Sequence, residues 1–277
     1  MKINFNNVSF SYGKRDKKAL NNINLIFDKS EIVFVMGHTG SGKSTLVQHI
    51  NGLLLADKGI VEIQIDDNKF ILNKEEEIKN INELRKNIGL VFQFPEYQLF
   101  ETSVIKDVMF GPINFYKNGE VAKEMAIKAL EKVGIGEKYY ERSPFDLSGG
   151  EKRKIAIAGV LASDPNVLIF DEPTSSLDPI STKEMMRLIT DLKREGKLII
   201  IISHDTNLCY EYGDRVIIMN EGKIIKDSRV CEAFDDASVL DKANLIEPFV
   251  NKAKRVFKIK DSSIRNIQDL KEVIKHG

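Results

Sequence analysis

The sequence predicts an α/β protein built around a parallel sheet, and three features carry that prediction. Ile32 to Met36, Val167 to Phe170 and Leu198 to Ile202 are continuously apolar, as strands buried on both faces are. Between the last two runs an amphipathic helix, Ser181 to Glu195, lines up Met185, Leu188, Ile189 and Leu192. That order is strand, crossover helix, strand, the unit of a parallel sheet. The first run enters a glycine-rich turn, Gly37-His38-Thr39-Gly40-Ser41-Gly42-Lys43-Ser44, and a helix is predicted from Lys43 to about Asn51.

Other elements follow from their periodicity. Ile23 to Phe27 and Val61 to Ile65 alternate apolar and polar residues, which predicts a half-buried antiparallel β subdomain. Tyr12 falls in the first β segment. Ile88 to Phe92 is a short apolar strand followed by Gln93. From Pro95 to Ala162 the character turns helical: Val121, Ala122, Met125, Ala126, Ala129, Leu130 and Val133 recur at helical spacing, and Lys152 to Ala162 is a second helix. A helical subdomain inserted at about 95–163 is expected. Val216 to Met219 and Lys223 to Lys226, joined at Asn220-Glu221-Gly222, read as a hairpin. Residues 1–228 thus form the main domain. Residues 229–277 are a C-terminal extension, expected to serve dimerisation, with Ile264, Ile267, Leu270 and Ile274 on one helical face and Asp261-Ser262-Ser263 as its N-cap.

Composition narrows the function. The 277 residues carry 41 Lys+Arg and 41 Asp+Glu, so there is no basic excess for a nucleic-acid partner, and none is expected. The cluster Lys14-Arg15-Asp16-Lys17-Lys18 is read as a solvated loop. Cys209 and Cys231 lack metal-type spacing and are read as reduced thiols. The first seven residues lack the apolar core of a signal peptide, and no apolar run approaches the ~20 residues that span a bilayer. If the chain serves a membrane process, another chain must cross the membrane.

The chemistry lies in a few segments. In the loop at 37–44 the glycines let backbone N–H groups point at phosphate oxygens, and the following helix offers its positive end to the same anion. Lys43 reaches the β- and γ-phosphates of a nucleotide, and the Ser44 hydroxyl can ligate Mg²⁺. Thr45 belongs to the same nucleotide-binding stretch. Asp171 ends a buried strand and can hold Mg²⁺ through water. Glu172 points elsewhere, because strand side chains alternate, and suits a base polarising water. His204 follows another strand, where an imidazole can touch the γ-phosphate and that water. Gln93 can bind Mg²⁺ or water. Tyr12 can stack on adenine or simply pack. Leu147-Ser148-Gly149-Gly150-Glu151 opens a helix and makes a second anion site. One chain does not easily wrap one ATP with both loops, so Ser148, Gly149 and Gly150 are assigned to nucleotide held by a second subunit, with Ser175-Ser176-Leu177-Asp178 at that interface.

Together these segments, in this order over residues 1 to 228, resemble the nucleotide-binding subunits of ABC transporters. The resemblance implies a P-loop NTPase core with an antiparallel β subdomain, an inserted helical subdomain and a C-terminal extension. It makes Tyr12 the adenine-stacking A-loop aromatic, residues 37–44 Walker A, Gln93 the Q-loop, 147–151 the signature, 167–172 Walker B, 175–178 the D-loop and His204 the switch histidine. Phe92-Gln93-Phe94-Pro95-Glu96-Tyr97-Gln98-Leu99-Phe100, Asp107-Val108-Met109-Phe110-Gly111-Pro112 and Ile155 to Ala162 narrow the likeness to energy-coupling factor importers and cobalt-importer ATPases, and His38 points to their second, A-prime ATPase. That likeness implies ATP and Mg²⁺ as cofactors and a second ABC ATPase as dimer partner, either a paralogue or another copy. It also implies a transmembrane T component, S components that deliver vitamins or metal ions, and a peripheral position on the cytoplasmic face of the membrane. Glu151 stands where this group usually has Gln, and Ser175-Ser176 replaces a more usual small pair. Beside Gln93, Phe94, Tyr97, Leu99 and Phe100 are expected partly to pack the insert and partly to line a groove for a membrane subunit's helix. The rival readings are a mechanical ABC ATPase acting on DNA or ribosomes, a phosphotransferase, and a nucleotide sensor. A single cassette with a short insert speaks against the first, the Leu147–Glu151 motif against the second, and intact Glu172 and His204 against the third.

Overall fold

The computed structural model describes residues 1–13, 17–75, 78, 80–259, 261 and 263–276. Residues 14–16 of the basic cluster and Ser262 of the expected cap lie outside them. In chain order the elements are strands β1 (Lys2–Phe10), β2 (Leu20–Phe27) and β3 (Ile32–Met36), helix α1 (Lys43–Ile50), β4 (Lys58–Ile65) and β5 (Asn68–Leu72). Then come α2 (Ile81–Asn87), β6 (Ile88–Val91), α3 (Val104–Tyr116), α4 (Gly119–Lys132), α5 (Gly149–Leu161), β7 (Val167–Asp171) and α6 (Pro179–Arg194). The chain continues with β8 (Leu198–Ile202), α7 (Thr206–Tyr212), β9 (Arg215–Asn220), β10 (Lys223–Arg229), α8 (Val230–Ala233), α9 (Ala237–Ala243), α10 (Phe249–Val256) and α11 (Ile267–His276). These elements fall into two compact units, Met1–Glu77 with Leu198–Gly277, and Ile78–Lys197.

The first unit holds two groups of strands. An antiparallel sheet runs in the order β2-β1-β4-β5 and buries Ile3, Phe5, Ile23, Phe27, Val61 and Ile63. The other group runs β10-β9-β3-β8, with β3 parallel to both β8 and β9. Every residue of β3 and β8 is buried, which explains their unbroken apolar sequences. The β9–β10 hairpin turns on Glu221 and Gly222, both at positive φ (48° and 74°), as a tight two-residue turn requires.

The C-terminal extension differs from its expected form. Helix α11 starts only at Ile267, so Ile264 precedes it. The cap is Asn266, whose side-chain oxygen accepts from the Gln268 and Asp269 N–H groups at 2.9 Å each. Asp261 instead closes its own turn by accepting from the Ser263 N–H. The cue was ambiguous because both Asp and Asn cap helices, and the later one sits against the apolar periodicity. Ile264 and Leu270 are buried, whereas Ile267 and Ile274 are 48% and 44% exposed.

In the second unit β6 and β7 pair in parallel, Val91 opposite Phe170. Helices α3, α4 and α5 pack around Val104, Val108, Ala122, Ala126, Leu130, Ile155 and Ala158. Helix α3 falls within the expected helical insert, although no separate helix is predicted there; Pro112 is buried inside it. Leu99 is buried, Phe94 is half-buried, and Tyr97 and Phe100 are exposed, so the aromatic cluster divides between packing and surface. No described helix is long and apolar enough to cross a membrane.

Candidate functional site

In the first unit the phosphate-type loop leaves the C-terminal end of β3. Gly37 has φ +141°, and a Cβ there would collide with the Met219 carbonyl oxygen on β9, so only glycine fits. Gly42, at φ +106°, precedes the first turn of α1. The Lys43 ammonium folds back over the loop and donates to the Gly37 and His38 carbonyls at 2.8 and 2.9 Å. The Ser41 hydroxyl is buried and has no hydrogen-bond partner among the described residues. A donor left over at a helix N-terminus beside a lysine suits a phosphate oxygen, so the loop fits the triphosphate expected there.

His38 is held from both sides. Its Nδ1 lies 2.7 Å from the Thr39 carbonyl and its Nε2 2.9 Å from Asn220 Oδ1. Asn220 was missed in the sequence. The signal was the hairpin it begins, because Met36 pairs with Ile218 and so brings the end of β9 beside the loop. His204 leaves the end of β8, the neighbouring parallel strand, where Val35 and Ile202 are in register. It is exposed, between the buried Ser203 and the half-buried Asp205, whose carboxylate caps α7 by accepting from Asn207 and Leu208 N–H. Loop and histidine therefore project from adjacent strand ends, the usual place for ligands in parallel sheets.

Tyr12 stands just beyond β1 rather than within it. Its ring is 65% exposed and packs edge-on against Phe10 at 5.1 Å. Its hydroxyl lies 3.0 Å from Thr45 Oγ1. Thr45 thus anchors the tyrosine, and the ring is left open for stacking. In the last turn of α1, His49 is fully buried; its Nδ1–H donates to the Thr45 carbonyl at 2.7 Å, and burial pushes its pKa down.

In the second unit Gln93 lies two residues past β6, and Asp171 ends β7. Glu172 follows in a left-handed conformation, φ +51°, which turns the chain sharply away from the strand. Ser175 N–H closes that turn onto the Glu172 carbonyl at 3.2 Å, and Ser176 is also left-handed, φ +65°. Asp178 caps α6, accepting from the Ile180 and Ser181 N–H groups and the Ser181 hydroxyl. Among the described residues no three or more His, Cys, Asp or Glu side chains gather as a metal cage. An ion bound by one or two protein groups plus substrate phosphates, as Mg²⁺ is, fits this sparse donor set.

Ser148 is the N-cap of α5 in a full capping box. Its N–H and hydroxyl both donate to Glu151, at 2.9 and 2.7 Å. Those bonds, the side-chain one first, hold the Glu151 carboxyl below the usual range. A Cβ on Gly149 or Gly150 would meet nothing within 4 Å, so this helix start faces open space. A second unforeseen residue is Arg153, 6% exposed, which donates to the Ser175 and Glu172 carbonyls. Its run, Lys152-Arg153-Lys154, reads as a solvated charged face; the contrary cue was Ile157, buried one turn on.

Comparison with known proteins shows the family. The family model described as ABC transporter matches residues 20–175. The energy-coupling factor transporter ATP-binding protein EcfA2 of Spiroplasma kunkelii is 44% identical, over 99% of this chain and 92% of its own length. EcfA2 of Streptococcus pyogenes serotype M28 is also 44% identical, over the whole of both chains. Among solved structures, CbiO1 from Clostridium perfringens, described as part of the ABC transporter complex CbiONQ, matches with TM-score 0.73 and 34% identity, over 93% of this chain and 98% of its own. The cassette MJ0796, solved as a dimer bound to ADP and phosphate, matches with TM-score 0.70 and 29% identity over 82% of this chain and 98% of its own.

Proposed function

Because this chain belongs to the ABC transporter family, among its energy-coupling factor ATP-binding proteins, we propose that it powers uptake of a vitamin or transition-metal ion through a membrane T component served by S components. The chain is an ATPase, converting ATP and water to ADP and phosphate. The observation that carries the fuller reading is the paired exit of Lys43 and His204 from adjacent strand ends in one unit, and of Gln93 and Asp171-Glu172 from adjacent strand ends in the other.

In this reading Tyr12 stacks on adenine, while residues 37–45 cradle the triphosphate and Lys43 offsets charge on its β- and γ-oxygens. Glu172 takes the proton of the attacking water and His204 orients that water against the γ-phosphate. Ser44, Gln93 and Asp171, the last through water, would hold Mg²⁺, which supplies further neutralisation of phosphate charge when bound. The open start of α5 supports a head-to-tail dimer in which Ser148, Gly149 and Gly150 meet nucleotide held by a partner ATPase. Glycine at 149 and 150 has no use within this chain, and a close approach from outside would give it one. The chain then works as a peripheral protein on the cytoplasmic face of the membrane.

Purification of the tagged chain from detergent-solubilised membranes tests the assembly. A second ATPase, one T-type membrane protein and several small membrane proteins should co-purify; a preparation bringing only ribosomes or nucleic acid would refute it. Glu172→Gln should keep ATP binding and lose turnover by roughly a hundredfold or more. Near-normal hydrolysis by that variant would remove Glu172 from the role of base.

A further inference from the structure

Arg153 is a buried cation, and nothing in the hydrolysis chemistry so far uses it. Burial pushes its pKa down, and the neighbouring Glu96 carboxylate opposes that effect. Removing a guanidinium from water is unfavourable unless its donors are used. Here Nη1 donates to the Ser175 carbonyl at 3.0 Å and Nη2 to the Glu172 carbonyl at 3.4 Å, while Nε is buried without a partner among the described residues. A methionine could fill similar space but could make neither bond.

The two carbonyls bracket the turn that carries Glu172. That turn holds two non-glycine residues in left-handed backbone, Glu172 and Ser176. Each such residue is strained and persists only where its surroundings hold it. On the side facing α5 and α6 the turn is not fully packed. A cavity of about 510 Å³ opens there, lined in part by Gly150, Arg153, Leu177, Ser181 and Met185. Arg153 spans from α5 to the turn beside this gap. Glu96, in the turn Pro95–Gln98 just past Gln93, keeps one carboxylate oxygen buried without a hydrogen-bond partner among the described residues. Its negative charge favours a cation at Arg153.

We infer that Arg153 is a positioning residue for hydrolysis, its guanidinium fixing the Glu172–Ser175 turn to the helix that Ser148 opens. Movement of the start of α5 is then transmitted to the backbone of Glu172. The inference rests on the assignment of Glu172 as base and deepens it.

The test uses the membrane complex purified on the full-length tagged chain. It compares turnover, KM for ATP, affinity for a fluorescent ATP analogue and melting temperature. Arg153→Met should lower kcat by about ten- to a hundredfold, the effect of a misplaced catalytic group. Analogue affinity should stay within about twofold, because binding relies on the separate loop at 37–45. Arg153→Lys keeps the charge but cannot bridge two carbonyls with a planar fork, so it should fall between. In the Glu172→Gln background, Arg153→Met should lower the residual rate no further. Wild-type kcat in Arg153→Met, or an additive loss on top of Glu172→Gln, would overturn the inference. So would parallel losses of melting temperature and analogue affinity. If Arg153→Met does not fold, Arg153→Lys decides alone: reduced kcat at unchanged melting temperature supports the role, and unchanged kcat removes it. Near-normal turnover in Glu172→Gln alone would instead overturn the assignment of the base.

Discussion

At the scale of residues, Tyr12 and His49 show how neighbouring side chains divide labour. The Tyr12 hydroxyl is tied to Thr45 while its ring stays open. Stacking of a base on an aromatic ring contributes roughly 1–3 kcal/mol, so Tyr12→Ala should weaken ATP binding about tenfold. Tyr12→Phe keeps the ring and should bind nearly as the parent does; equilibrium titration with a fluorescent nucleotide distinguishes the two. His49 titrates in the opposite sense to a salt-bridged histidine. Burial lowers its pKa from the ordinary 6.5, so below that pH the unfolded chain binds the extra proton first. Its contribution is whole above 6.5 and shrinks as pH falls towards the lower folded value. Urea midpoints between pH 7.5 and 5 should therefore fall more steeply in the parent than in His49→Gln; parallel curves would refute this. The sequence showed the loop residues plainly because their chemistry needs a fixed spacing. It hid Asn220 and Arg153, whose importance comes from strand register and burial, neither of which is a local property.

At the scale of elements, continuous apolar runs marked β3, β7 and β8 because both faces are covered or nearly so. The amphipathic stripe marked α6, whose Met185, Ile189 and Leu192 are buried. Short or mixed segments such as α2 and α7, and α3 with its internal proline, lacked a clear period. Helix α5 carries a feature with functional consequence. Its capping box uses Glu151 where the resembling group usually has Gln, so a carboxylate sits at a helix start proposed to meet phosphate. Gln can also accept the Ser148 bonds, so Glu151→Gln should leave stability nearly unchanged. Loss of the charge should lower the ATP concentration that gives half-maximal turnover. Glu151→Ala breaks the box and should lower the melting temperature measurably. A raised KM in Glu151→Gln would show that the carboxylate assists rather than opposes nucleotide engagement.

At the scale of the whole molecule, each compact unit carries part of the chemistry and neither carries all of it. Lys43 and His204 lie in one; Gln93, Asp171, Glu172 and Ser148 lie in the other, which also contains the helices between Val104 and Leu161. Motif order in the sequence reveals the parts but not that the first unit is built from both ends of the chain. The C-terminal extension belongs to that first unit and is tied to the helix after His204: the Phe249 N–H donates to Asn207 Oδ1 at 2.8 Å, and Arg265 donates to the Gly213 carbonyl at 2.7 Å. On α11, Leu270 turns inward while Ile267, Val273 and Ile274 stay 40–48% exposed. Apolar side chains repeated along one helix and left in water are the mark of a surface that another protein covers. The dimerisation expected of the extension has its candidate surface on this face, apart from the nucleotide-dependent contact proposed at α5. Ile267→Glu with Ile274→Glu should weaken ATP-independent association by on the order of tenfold or more, measured by sedimentation without nucleotide. Affinity for a fluorescent ATP analogue should be unchanged, because no residue proposed to touch ATP lies on α11. Unaltered sedimentation would mean that the extension serves to brace α7 alone, and that the two ATPases meet only when nucleotide draws them together.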